Sequence, residues 1–324
     1  MIHADARRAA LEGWLAARFG SPVAITPASE DASFRRYWRV RAGDGTSFIV
    51  MDAPPAREDC RPFIRIAAML REAGVNAPQV FAQDLEQGFL LLTDLGTRTY
   101  LEALNASSAA KLFGDATDAL LRWQLATRPG ELPSYDEALL RREMDLFPEW
   151  YVGRHLGKAL SDAQKQSLTS IFRLLVESAL AQPAVYVHRD YMPRNLMVCE
   201  PNPGVLDFQD AVVGPIAYDV VSLLRDAFVS WDEELVLDLT VRYWEKAKRA
   251  GLPVHSDFGE FWRAFEWMGL QRHLKVLGIF ARINYRDGKP RYLADTPRFI
   301  AYARAACRRY NALAPLAGLL DELA

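Results

Sequence analysis

The chain has 324 residues, a formal net charge of −2, and half of its residues are hydrophobic. That supplies apolar material for a sizeable core, in one large domain or two lobes. A charge balance this near zero gives no electrostatic reason to expect nucleic acid or a membrane surface as partner. Cys60, Cys199 and Cys307 are widely spaced and form neither a metal pattern nor a disulfide framework, which fits a reducing cytoplasm. Charges run throughout positions 1–20, so neither a signal peptide nor a spanning helix is expected there. No repeat is visible, and no obligate protein partner is evident.

In chain order, 5–19 reads as an amphipathic helix, with Leu11, Trp14, Leu15 and Phe19 on one face and Gly20 to stop it. Residues 23–26, 34–40 and 47–51 read as strands. A helix over 59–73 follows, then strands over 79–82 and 88–92, completing a five-stranded antiparallel sheet. Beyond this point helical patterns dominate. The spacing predicts helices over 107–127 (Ser107 as N-cap), 137–153, 161–181, 214–228, 232–250 and 257–283. The aromatic stripe of the last, Trp262, Phe265, Trp267 and Phe280, reads as core. From there to Tyr310 arginines and lysines dominate, the pattern of a solvated face.

The chemistry is concentrated in 185–210, VYVHRDYMPRNLMVCEPNPGVLDFQD. An apolar run delivers His188, Arg189 and Asp190, and Asn195 stands five residues after Asp190. A second apolar run and a turn at 201–204 lead to Asp207. Two short strands joined by a turn would hold the three polar groups near one point. Asp190 can accept a hydroxyl proton, while Asn195 and Asp207 offer oxygens to a hard cation such as Mg²⁺. That equipment suits phosphoryl transfer, where positioning and charge neutralisation supply most of the catalysis. The bland reading of the same residues is turn and cap positions.

With Asp207-Phe208-Gln209 closing it, this order and spacing resembles the aminoglycoside phosphotransferase family of small-molecule kinases. The resemblance covers nearly the whole chain. It implies an α+β, protein-kinase-like two-lobe fold, with ATP and Mg²⁺ as cofactors. Residues 1–92 would be a small antiparallel-sheet lobe that binds nucleotide. Residues 93–324 would be a larger, mainly helical lobe for catalysis and substrate. The resemblance also implies nucleotide-phosphate contacts from Ser29, Asp31, Ala32, Ser33 and Arg35, and a hinge at Leu92 and Asp94 that meets the adenine. His188 and Asp219 would support the catalytic loop, and Asp210 and Asp226 would be solvated. The chain departs from the family pattern at Met51, near the phosphate-binding lysine, and at Phe63, near that lysine's glutamate. Arg35, Arg36 or Arg65 could replace the lysine; otherwise the chain is a non-catalytic nucleotide-binding pseudokinase.

The catalytic wording and the run 271–280, QRHLKVLGIF, resemble the anomeric sugar kinases of bacterial cell-wall recycling. That implies an amino-sugar substrate, N-acetylmuramate or N-acetylglucosamine, phosphorylated on its anomeric hydroxyl. Arg272 and Lys275 lie three apart on an expected helix, and one of them could meet the lactyl carboxylate of muramate. The rivals are kinases for choline, an amino acid or an aminoglycoside. The basic tail opposes a cationic substrate.

Overall fold

The computed structural model describes residues 2–30 and 34–323. Helix α1 (Ile2–Phe19) precedes strands β1 (Ile25–Glu30), β2 (Arg36–Arg41) and β3 (Ser47–Asp52). Helix α2 (Arg61–Glu72), strands β4 (Val80–Asp84) and β5 (Phe89–Thr93) and the short helix α3 (Tyr100–Ala103) follow. Then come α4 (Ala109–Leu125), α5 (Glu137–Met144), a π-helical segment (Phe147–His155) and α6 (Asp162–Leu180). Four short strands, β6 (Ala184–Val187), β7 (Leu196–Met197), β8 (Gly204–Val205) and β9 (Val212–Pro215), carry the polar stretch. The chain ends in α7 (Tyr218–Leu224), α8 (Glu233–Arg249), α9 (Phe258–Asp287), α10 (Thr296–Arg309) and α11 (Ala314–Glu322).

The chain divides into two compact units. One joins Met1–Ala103 to Arg194–Asp210, and the other joins Leu104–Pro193 to Ala211–Ala324. The first unit contains the five-stranded sheet, order β1-β2-β3-β5-β4, with every neighbouring pair antiparallel. The expected sheet is therefore present, and β1 runs further than the sequence suggested, to Glu30. The apolar face of α1 packs on it: Leu11, Trp14 and Leu15 meet Ile25, Val40, Val50, Phe89 and Leu91. Asp52 at the end of β3 is buried, which would be costly if it were unpaired. Arg7 reaches it at 2.6 Å and Arg36 at 2.5 Å. In the same unit β7 and β8 form a hairpin, Leu196 opposite Val205 and Met197 opposite Gly204. A Cβ at Gly204 would lie 2.8 Å from Cys199 Sγ and 2.9 Å from Leu95 Cδ1, so only glycine fits this crossing.

The second unit is mainly helical. Helix α6 carries a full capping box, Ser161 with Gln164. The N-cap of α4 is Ser108 rather than the expected Ser107, whose hydroxyl instead donates to Asn105 Oδ1 at 2.6 Å. Strand β6 pairs with β9, Val185 opposite Gly214, and not with the strand that follows it in sequence. The expected pair of strands joined by the 201–204 turn is the β7–β8 hairpin, and β6–β9 is a second pair that encloses it in sequence. Pairing consumes 212–215, so α7 is shorter than the helix expected over 214–228. Asp226 is not solvated as expected; it is fully buried, and its Oδ2 accepts N–H bonds from Phe228 and Val229. It shapes the turn after α7. Helix α9 passes so close to Leu146 that a Cβ at Gly278 would lie 2.4 Å from that residue's backbone. The long helix is buried over much of its length. Arg272 and Lys275 are accordingly 2% and 7% exposed, not part of a solvated face. Among the described residues no helix is long and apolar enough to cross a membrane.

Candidate active site

Arg189 and Asp207 have φ of 76° and 62°, the only non-glycine residues with positive φ among those described. That left-handed backbone costs an L-residue roughly 1–2 kcal/mol, so the surroundings must enforce it. Both positions belong to the stretch singled out by sequence. Arg189 immediately precedes Asp190, and Asp207 is itself a candidate ligand.

In the second unit, β6 delivers His188, and a carboxylate from the start of α7 holds the loop that follows. Asp219 Oδ2 accepts the His188 N–H at 2.6 Å, and Oδ1 accepts the Arg189 N–H at 3.0 Å. The Asp190 N–H donates to His188 Nδ1 at 3.2 Å, so three consecutive peptide N–H groups are tied down around the bend. Asp219 is fully buried, and that burial pushes its carboxyl up to about 7, although the two N–H bonds oppose the shift. Arg189 Nη2 reaches Glu143 Oε1 on α5 at 2.5 Å. Tyr191 is buried, and its hydroxyl donates to the Ala116 carbonyl at 2.8 Å, anchoring the loop beyond Asp190.

In the first unit, Asn195 and Asp207 flank the β7–β8 hairpin. The Leu206 N–H donates to the Asn195 carbonyl at 2.9 Å, and Asn195 Nδ2 lies 3.3 Å from Asp207 Oδ2. Gln209 Nε2 donates to Asp207 Oδ1 at 2.9 Å. The two Asp207 oxygens thus sit between two amide groups. Rotating either amide would turn its oxygen toward the same point, which is the donor set a hard cation takes.

The Met51 and Phe63 departures are filled by packing. Met51 is buried in β3, and the Phe63 ring packs against Phe208, tilted by 37°, at 4.8 Å between centroids. A cation and a carboxylate pair at other positions of the same unit. Arg35 Nε pairs with Glu58 Oε2 at 3.2 Å, side chains 12% and 16% exposed. Burial works against the Arg35 charge, yet Tyr37, Glu58 and Asp207 together hold its pKa above the usual arginine value. Arg36 is committed elsewhere, to Asp52.

Residues 24–255 match the model of the phosphotransferase enzyme family. The chain belongs to that family. This phosphotransferase is 59% identical to the N-acetylmuramate/N-acetylglucosamine kinase of Pseudomonas putida, over 92% of this chain and 88% of that one. It is 50% identical to the protein of the same name from Neisseria meningitidis, over 98% and 96% of the two chains. Its fold is similar to that of the Plasmodium vivax ethanolamine kinase, with a TM-score of 0.62 at 11% identity, over 88% of this chain and 82% of that one.

The expected site residues of the phosphotransferase are distributed over both units. Asp190, His188 and Asp219 lie together in the second unit. Asn195, Asp207 and Arg35 belong to the first, the boundary falling between Pro193 and Arg194. Asp31, Ala32 and Ser33 lie outside the described residues, and of Ser29 only the backbone pairing with Tyr37 is described. Leu92 is buried in β5. The Asp94 carboxylate is occupied within its own unit by Arg39 at 2.6 Å, Ser47 at 2.5 Å and the Gly96 N–H at 3.0 Å. Lys275 Nζ is 2.9 Å from Glu143 Oε1 and 3.0 Å from the Tyr218 hydroxyl. Sequence reasoning missed Glu58, Glu143 and Gln209. Arg189 was the available signal for Glu143, because an arginine that follows a buried apolar strand and is itself part-buried needs a carboxylate.

Proposed function

We propose that this phosphotransferase moves the γ-phosphoryl group of ATP to the anomeric hydroxyl of N-acetylmuramate or N-acetylglucosamine, giving the sugar 1-phosphate. The reading is carried by identity that runs almost end to end with two kinases bearing those substrates' names. The acceptor oxygen forms a bond to the γ-phosphorus as the bond to the β-phosphate oxygen breaks, and ADP leaves. Asp190 takes the hydroxyl proton. It is a carboxylate on a loop whose backbone is fixed from below, and it needs no nucleophilic chemistry of its own. The anomeric hydroxyl is the most acidic on a free sugar, which suits a weak carboxylate base.

Asn195 and Asp207 would hold Mg²⁺, which fits two oxygen-bearing side chains beside each other because this ion keeps phosphate oxygens and waters as its remaining ligands. Bound there it would neutralise charge on the nucleotide phosphates. Arg35, braced by Glu58, supplies the fixed cation that Met51 cannot. Backbone groups near Leu92 and Asp94 would receive the adenine. His188 and Asp219 keep the Asp190 loop in shape.

The test is the position of the phosphate. A sugar 1-phosphate is acid-labile and has lost its reducing end, whereas a 6-phosphate still reduces. Methyl glycosides of both sugars should be inert. A reducing product, or turnover of a methyl glycoside, would overturn the anomeric assignment. Turnover of choline or an aminoglycoside in preference to the sugars would overturn the substrate class.

A further inference from the structure

Beneath the Asp190 loop, in the second unit, lies a buried charge cluster that no role above requires. Its centre is Glu143, 5% exposed, in the last turn of α5. Both of its carboxylate oxygens are used. Oε1 receives Arg189 Nη2 at 2.5 Å and Lys275 Nζ at 2.9 Å. Oε2 receives the Tyr135 hydroxyl and, at 3.4 Å, Gln271 Nε2. Lys275 also donates to the Tyr218 hydroxyl at 3.0 Å, and the Arg189 guanidinium lies 5.8 Å from the Tyr135 ring centroid. Burial alone would raise the Glu143 carboxyl, but Lys275 and Arg189 beside it hold it below the usual glutamate value.

Burying one carboxylate with two cations is costly, and apolar residues of similar size stabilise a core at least as well. What an apolar cluster cannot do is fix the Arg189 side chain while its backbone sits at φ 76°. Asp219 grips the N–H side of that residue and Glu143 grips its side chain. Together they over-determine the bend that aims the next residue, Asp190. The cluster also carries one more positive than negative charge, and Asp190 is among the anions that Lys275 feels.

We propose that Glu143 is a positioning residue for phosphoryl transfer: through Arg189 it fixes the peptide that aims the Asp190 carboxylate, and by occupying Lys275 it keeps that ammonium from drawing Asp190 aside. This rests on the reading of Asp190 as the proton acceptor.

The experiment uses the full-length enzyme, with folding of each variant checked by circular dichroism and thermal melting. Glu143→Gln keeps the volume and removes the charge. Its kcat should fall about tenfold or more, as expected for a misaimed group, while KM for sugar and for ATP changes less than about threefold. Adding Lys275→Met removes the competing cation and should restore part of that loss. A merely structural role predicts the reverse, a double variant worse than either single one. If Glu143→Gln does not fold, Arg189→Met, altering a partly exposed side chain, should show the same split between kcat and KM. Folded Glu143→Gln with kcat within twofold of wild type, or a double variant that loses further activity, overturns the inference. Asp190→Asn run alongside separates the two readings. An inactive Asp190→Asn with an unimpaired Glu143→Gln leaves Asp190 in place and removes only Glu143, whereas an active Asp190→Asn removes the reading beneath both.

Discussion

Arg35 and Glu58 form a largely buried ion pair, Nε to Oε2 at 3.2 Å, at the entry to β2 and ahead of α2. The pair places a braced guanidinium whose charge is felt by Asp207. It lies in the unit where the chain has no phosphate-binding lysine on β3, the position being the buried Met51. Arg35→Met should raise KM for ATP about tenfold or more, by loss of a charge-assisted contact worth roughly 1.5–3 kcal/mol, with KM for sugar little changed. Glu58→Gln should act in the same direction and less strongly. Steady-state kinetics with each substrate varied in turn checks both. An Arg35→Met enzyme with wild-type ATP kinetics would show that another cation serves the phosphates.

Asp190→Asn preserves shape and removes proton affinity. Turnover should drop by ~10²-fold or more, with ATP binding retained, since the nucleotide contacts come from other residues. Single-turnover phosphate transfer combined with nucleotide titration measures the two separately. Near wild-type turnover by a folded variant would remove Asp190 from the chemistry.

Asp207→Ala should abolish transfer and flatten the dependence of the rate on Mg²⁺ concentration. Asn195→Ala should instead shift that dependence to higher Mg²⁺, because one of the neighbouring oxygen donors is kept. If Asn195→Ala leaves the Mg²⁺ dependence unmoved, it is not a ligand.

Asp219 links pH to stability. Its carboxyl is pushed up to about 7 by burial, against the ordinary aspartate value of about 3.9 in an unfolded chain. Between those values the folded protein keeps a proton that the unfolded chain has lost. The contribution is therefore complete below about pH 4 and disappears as pH rises through about 7. Besides the two N–H donors, the charges of Asp190 and Arg272 act on it. Urea unfolding of wild type and Asp219→Asn should show a stability difference that changes by about 2–3 kcal/mol between pH 5 and pH 8. A difference independent of pH would mean that Asp219 stays ionised throughout.

His273 on α9 adds a dependence of opposite sign. It is buried between the Phe299 and Tyr302 rings, and neither ring nitrogen has a hydrogen-bond partner. Burial, with Arg272 and Arg225 nearby, holds its pKa well below the usual histidine range. Unfolding lets it take a proton, so its contribution is present above about pH 6.5 and is lost as pH falls. His273→Phe should remove that acid sensitivity and lose less stability than wild type between pH 7 and pH 5. Equal acid losses in the two proteins would count against it.

The five-stranded sheet was legible in the sequence because β3 and β5 are short apolar runs, the neighbouring segments are bounded by turn residues, and α1 shows one clear apolar face. Asp190, Asn195 and Asp207 could be picked out as candidates because the chemistry proposed for them depends on residue type at fixed short spacing along one stretch of chain. The β7–β8 hairpin between Asn195 and Asp207 was legible from its turn, whereas β6 finds its partner β9 beyond that hairpin, which no local pattern shows.

Sequence by itself determined which residues could accept a proton or hold a cation, since those properties belong to the side chains and to local order. Tertiary structure decided the partners of those residues, because burial and charge pairing join positions far apart in the chain. Glu143 meets Lys275 across 132 positions of sequence and takes Arg189 as well, so an expected surface lysine became a buried one. Arg35 meets Glu58, while the nearby Arg36, equally basic, is spent on Asp52. Which of two adjacent arginines meets Glu58 and which meets Asp52 depends on the side to which each side chain leaves the backbone and what is packed there, and no local pattern records that.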